Sequence, residues 1–358
     1  MALDLGLAPL ASIWDRVIGQ PNAVRRLMAS ADSPLHAYLF VGPAGSTKNE
    51  ASRAFAARVL AGVDDPDQRD ARLALAGQHP DVREFARVGA AISKDQADDI
   101  VRLAALAPNE SSRKVLILDE FHLLSPEAAA KLLKTIEEPP ASTVFVILAD
   151  FMPPDLVTIA SRCIRIDFQP IHDDVIVDTL IGEGIAAGRA NEAATAARGD
   201  LTRARLLAND NHLAARRALF ASTPTRLDGT GSAVIAAVDA LLAEIEAAAT
   251  PLIERHAVEV VAMEARIASL GERGSGKKAL EERHKRELRR HRVDELRAGL
   301  ATLAGTYRDA LVAGSMPRPD AAAAAIKRIH GALEALDRNP NEQLLLQALL
   351  LELPSLRS

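Results

Sequence analysis

The strongest constraint on this chain is an apolar run that stops at a glycine-bounded turn and passes straight into a helix. His36-Ala-Tyr-Leu-Phe-Val41 is followed by Gly42-Pro-Ala-Gly-Ser-Thr-Lys-Asn49, and helical sequence then continues through Arg58. A compact apolar run halted by Gly-Pro is a buried strand. Strand, glycine-containing loop and helix in succession form the setting of a GxxxxGK[ST] phosphate loop, where backbone N–H groups, a helix N-terminus and one lysine converge on phosphate. Further strands are expected at Val115-Leu-Ile-Leu-Asp119, Thr143 to Leu148 and Ile164 to Phe168. Between them, Ser125-Pro126-Glu127 starts a helix, with serine as N-cap and proline at the first position, and Pro139-Pro140 ends it. Strands alternating with helices predict an α/β domain with a mainly parallel sheet, buried on both faces.

The phosphate loop departs from its pattern at two positions. Gly42 and Lys48 fit, with Gly45 between them, but Thr47 replaces the second glycine and Asn49 replaces the hydroxyl residue that would hold Mg²⁺. A β-branched residue forced into a left-handed conformation costs about 1–2 kcal/mol, and its Cβ crowds the phosphate. Asparagine offers only a carbonyl oxygen on a longer arm. The segment therefore reads either as a loop that keeps its shape without hydrolysing nucleotide or as a working site. Asp119-Glu120 closes the second strand, where an aspartate supports Mg²⁺ and a glutamate orients attacking water, unless both serve as hydrogen-bond acceptors at the sheet edge. Gly42, Gly45, Lys48, Asp119 and Glu120 are the candidate nucleotide residues. His122 has no second ligand at metal-binding spacing, so no metal is expected.

A length of 358 residues exceeds one ordinary domain. Three are expected: 1–169 α/β, 170–208 a small helical lid with glycine breaks, and 209–358 an all-helical collar. Breaks in the last are placed at Thr223-Pro224, Gly229 to Ser232, Gly271 to Gly276 and Met316 to Pro319. The net charge of −5 argues against a protein evolved mainly to coat nucleic acid. Lys277 to Arg292 is the local exception, with eight Lys or Arg against three Glu. It reads either as a phosphate-tracking face or as an exposed helix with intrahelical pairs such as Glu282 with Arg286. Cys163 is the sole cysteine, which fits a reducing cytosol and suits a buried apolar role. Met1 to Trp14 lacks a secretory signal pattern, and the most apolar stretch, near Ala233 to Ile253, carries three acids. A cytoplasmic protein without membrane spans is expected.

Ile18-Gly-Gln20, His36 to Phe40, His79-Pro-Asp-Val82, Leu132-Leu-Lys-Thr-Ile-Glu-Glu-Pro-Pro140 and Ser161-Arg-Cys163 resemble, in that order, bacterial clamp-loader ATPase subunits of the AAA+ class. The resemblance covers roughly Val17 to Leu207, with a weaker echo in Asn339 to Leu353. Within the family the damaged loop is similar to the delta-prime branch rather than the gamma or tau motor. The resemblance implies an arginine finger at Arg162, reaching the ATP site of a neighbouring motor subunit. It implies assembly with motor and delta subunits, loading of a sliding clamp onto primed DNA, and membership of a DNA polymerase holoenzyme, with little or no ATPase of the chain's own. A bland alternative for Arg162 is a salt bridge within its own domain. Leu60 to Gln78 lacks the four cysteines common in the family, so no zinc is expected, and Ala149-Asp150-Phe151 lacks a motor's threonine pair. Gly199-Asp-Leu-Thr-Arg-Ala204 resembles the second nucleotide sensor with its arginine, Arg203, one place late.

Overall fold

The computed structural model describes residues 10–87, 91–270, 277–314, 318–338 and 340–356. Two compact units meet in sequence between Ala208 and Asn209. The first holds strands β1 (Ala37–Val41), β2 (Val82–Phe85), β3 (Lys114–Leu118), β4 (Thr143–Ala149) and β5 (Ile164–Asp167). Their order is β2-β3-β4-β1-β5 and every pairing is parallel. Parallel neighbours need crossovers. Helices α1 (Pro21–Ala31), α2 (Lys48–Ala61), α3 (Arg69–Leu75), α4 (Lys94–Ala105), α5 (Pro126–Glu137) and the single turn α6 (Val157–Ala160) surround the strands. Alternate strand residues divide between two cores. Tyr38, Phe40, Val115, Ile117, Val144 and Val146 pack with α1 to α3. Leu39, Leu116, Leu118, Phe145 and Ile147 pack with α4 to α6. The α/β arrangement with a parallel sheet expected from the sequence is present.

The sequence reading missed β2. Val-Arg-Glu-Phe carries two charges in four residues and buries only Val82 fully, as an edge strand can. It also began β3 one residue late, because Lys114 is buried; its Nζ donates to the carbonyls of Leu103 and Leu106 and so caps the end of α4. The α5 boundaries are as expected, with the Ser125 hydroxyl accepting from the N–H of Ala128 and the helix ending at Glu137.

Beyond β5 come α7 (Asp173–Gly182), α8 (Ala187–Ala197) and α9 (Leu201–Ala208). The second unit contains α10 (Leu213–Arg226), α11 (Gly231–Ala247), α12 (Thr250–Leu270), α13 (Lys277–Val312), α14 (Pro319–Ala335) and α15 (Glu342–Glu352). Its core joins Phe220, Val238, Leu241, Leu300, Tyr307 and Ile329 among others. One expected break is absent. Pro224 lies within the last turn of α10, where few backbone bonds remain to be lost, and its carbonyl accepts the N–H of Leu356. The break at Gly271 to Gly276 and half of that at Met316 to Pro319 lie outside the described residues, although Pro319 does open α14.

The basic stretch is the start of α13, and its pairs run to α12 as well as along the helix. Lys277 meets Glu264, Arg283 meets Glu259, and Lys285 takes the acid Glu282 that had been expected to meet Arg286. Two pentads of one pattern face each other, Arg255-His256-Ala-Val-Glu259 and Arg283-His284-Lys-Arg-Glu287. The imidazoles stack with centroids 3.8 Å apart, His256 reaches Glu287 at 2.8 Å, and His284 reaches Glu259 at 3.1 Å. Each arginine meets both glutamates.

The His79-Pro-Asp-Val82 motif has a structural job in the first unit. The Asp81 carboxylate accepts from the backbone N–H groups of Asn109, Glu110 and Ser111, the last two at 2.9 and 2.8 Å, and from the Asn109 amide. It thereby fastens the loop before β3 to the start of β2. Burial pushes Asp81 up, but these bonds outweigh it and hold the carboxyl below its ordinary range. Such an acid contributes stability that is complete above its unfolded value and is lost as pH falls through the lower folded one. Asp81→Ala is expected to cost about 2–3 kcal/mol at pH 7. The deficit against the parent chain, read by denaturant titration, should shrink as pH drops below the ordinary carboxylate value.

Candidate functional site

The register of the sheet decides which loops meet. Val41 lies opposite Ala149 and also opposite Asp167, so the residues after β1, β4 and β5 share one edge. Gly42 sits there with its N–H on the carbonyl of Ala149 at 3.1 Å. A side chain at position 42 would lie 2.4 Å from the Phe168 carbonyl oxygen, so glycine is required by packing alone. Gly45 has φ +67°, and a Cβ there would fall 1.8 Å from an Asp200 oxygen. That carboxylate also accepts the Arg203 N–H at the start of α9, at 2.8 Å. Two of the glycines expected to cradle phosphate are thus pressed against the chain itself.

Thr47 adopts the left-handed conformation that the missing glycine would take freely, with φ 59° and ψ 21°. Its strain is offset locally, because Oγ1 donates to the Ile18 carbonyl at 3.0 Å and the residue is buried. The Ile18-Gly-Gln20 segment is held in turn by Gln20, whose amide exchanges two hydrogen bonds with the backbone of Gln169. The loop keeps the phosphate-loop path with a residue that normally resists it.

Its charges are committed internally. The Lys48 ammonium is only 4% exposed and lies 2.6 Å from the Asp150 carboxylate, and it also donates to the Pro43 carbonyl at 3.1 Å. Asn49 donates its amide to Asp119 at 3.1 Å, where a hydroxyl would present oxygen to Mg²⁺. The second Asp119 oxygen accepts the N–H of Glu120 at 2.8 Å. Burial dominates at Asp119 and pushes its carboxyl above the ordinary range, against the pull of the Glu120 N–H, Lys48 and Asn49. Glu120 stands at φ 51° with its carboxylate 3.0 Å from Arg87. His122 accepts the Asp150 N–H on Nδ1 at 3.1 Å, and burial holds its imidazole below its ordinary value.

Asp150, Asp200 and Arg87 were not among the candidates read from sequence. Asp150 was noted there only as the lack of a threonine pair. The usable signal was positional: an acid directly after β4, next to β1 in a parallel sheet, must stand beside the lysine that follows β1.

Arg162 lies elsewhere on the first unit, after α6. Its Nη1 donates to the Thr158 carbonyl at 2.7 Å and the Ser161 hydroxyl at 3.2 Å, and its Nε is ion-paired with Glu137, the last residue of α5. Its side chain is 37% exposed. Cys163 beside it is half-buried, with Sγ on the Ile159 carbonyl and its thiol pushed up to about 12 by burial, which leaves an inert thiol at neutral pH.

Residues 19–172 match the family model described as DNA polymerase III, delta subunit. This region is similar to clamp-loader subunits. The DNA polymerase III subunit tau of Bacillus subtilis is 37% identical over 176 residues, 47% of this chain and 31% of that protein. The delta-prime subunit of the same organism is 31% identical over 173 residues, 47% of this chain and 53% of that one. The delta-prime subunit of Pseudomonas aeruginosa is 34% identical over 137 residues, 36% and 42% of the two chains. The chain spans about half or less of the length of these relatives. Both delta-prime and tau subunits are therefore represented among these relatives.

Removing the competing carboxylate should expose the lysine. Asp150→Ala is expected to raise the affinity for ATP at least about tenfold over the parent chain, a gain of ~1.4 kcal/mol. Adding Lys48→Ala should return it to the parent level. Isothermal calorimetry on the three proteins checks both outcomes.

Proposed function

We propose that this chain is a delta-prime-like stator of a replicative clamp loader: a scaffold that lends Arg162 to a neighbouring subunit's ATP site and has no appreciable ATP turnover of its own. One observation carries the reading: the loop lysine is neutralised by Asp150 inside the chain, while the guanidinium of Arg162 stands at the surface.

The residues around the loop do not fit Mg·ATP as they are arranged. A triphosphate would have to displace Asp150 from Lys48, and the metal would meet the Asn49 amide where it needs oxygen. Arg162 suits the opposite task. Its charge is permanent, its planar fork matches phosphate oxygens, and its exposed position lets a partner reach it. The partners of such a stator are the motor and delta subunits of the loader, with the sliding clamp and primed DNA engaged by the assembly. Its place is the cytoplasm; among the described residues no helix is long and apolar enough to cross a membrane.

A motor-type ATPase is the second reading, favoured by the 37% identity to a tau subunit. It requires the parent chain to bind Mg·ATP with Lys48 released. A DNA-binding adaptor built on α13 draws less support, since the basic stretch spends much of its charge on Glu259, Glu264, Glu282 and Glu287.

In a loader reconstituted with the motor subunit, Arg162→Ala should cut ATP turnover at the site it completes by about 10³-fold or more while assembly is kept. The readout is DNA- and clamp-stimulated phosphate release beside size-exclusion chromatography. Unchanged turnover in an intact complex would remove the finger.

A further inference from the structure

We propose that Glu137 is the positioning residue for Arg162, an inference that rests on the partner-site role of that arginine. The two most specific sequence signatures, Leu132 to Pro140 and Ser161 to Cys163, meet in space through this pair. Ile136 and Ile159 lie in one buried cluster, so the end of α5 and the turn α6 are fixed against the same core. From that base Glu137 takes Nε of the guanidinium, while the Thr158 carbonyl and the Ser161 hydroxyl take Nη1. These contacts fix the guanidinium at Nε and at Nη1.

The placement of Glu137 is otherwise unfavourable. It is the last residue of α5, followed by Glu138 at the C-cap, and a carboxylate at a helix C-terminus opposes the macrodipole. A helix built for stability alone would place a cation there. The two prolines that follow allow no further turn, so the carboxylate stays at a defined height beside Arg162. An arginine ordered before its partner arrives loses less conformational freedom on meeting phosphate than one that waves free. The Glu137 side chain is itself 31% exposed, so solvent screens its charge and it can orient the guanidinium without cancelling its attraction for an anion.

The test is steady-state ATP hydrolysis by the assembled loader containing full-length Glu137→Ala, Glu137→Gln or Arg162→Ala chains. Glu137→Ala should lower kcat at the completed site about 10- to 100-fold with KM for ATP unchanged. Glu137→Gln, whose amide oxygen still accepts from Nε, should stay within about threefold of the parent. A half-exposed ion pair contributes little to folding, so the melting midpoint of the Glu137→Ala chain should move by about 3 °C or less. A Glu137→Ala loader as fast as the parent or faster, with Arg162→Ala slow, would overturn the positioning role and leave the finger standing. An Arg162→Ala loader at the parental rate would remove both. A loss of folding shared by the alanine and glutamine variants would reduce Glu137 to a structural residue.

Discussion

All five strands run in one direction, and the chemistry of the first unit follows from that. A parallel sheet delivers the C-terminal ends of its strands to a single edge, so whatever follows β1, β3 and β4 must share a small space. In this chain those positions hold a lysine, two adjacent acids and a further aspartate. The register places Ala149 beside Val41, and Asp150 lies 2.6 Å from Lys48. An ammonium so little exposed needs an anion, because a buried charge without a partner is costly. Where a phosphate loop waits for its ligand, this one carries a counter-ion in its own sequence.

The loop geometry and the loop charge have therefore become separate properties. Thr47 keeps the left-handed turn at a conformational cost and is tied to Ile18, so the path from β1 to α2 survives. Gly42 and Gly45 survive for packing reasons, against Phe168 and Asp200. What a nucleotide would use is redirected: Asn49 to Asp119, Glu120 to Arg87, Lys48 to Asp150. Arg162 depends on none of these residues, being held from α5 and α6.

Much of this was legible beforehand, because it rests on local patterns. Continuous apolar runs bounded by glycine, proline or charge gave β1, β3 and β4, the short stretch Ile164 to Phe168 gave β5, and Ser125-Pro126 with Pro139-Pro140 bracketed α5. Elements whose stability comes from distant contacts were not legible. β2 has too little apolar sequence to announce itself, and Lys114 looks like a loop lysine until the end of α4 is placed beside it. At the site, Thr47 and Asn49 could be seen as departures from a pattern, but the partners that consume the charges lie 102 and 70 residues away. The salt bridge of Arg162 was foreseen in kind, as the alternative to a finger; its partner Glu137 stood unremarked within a signature already in view. In α13 pairs along the helix were expected and Lys285 with Glu282 is one, but Lys277 and Arg283 also reach across to α12.

The paired pentads of α12 and α13 bear on how that hairpin finds its alignment. Two greasy helices can slide past one another by a turn and lose little, because one aliphatic contact resembles the next. Here the seam between residues 255–259 and 283–287 is written in imidazole, carboxylate and guanidinium, each with a counterpart reached in only one setting. A shift of either helix by one turn would strand several ionic groups in a half-dry gap, which penalises every misaligned state more than it rewards the correct one. The two rods thus carry a key and its lock.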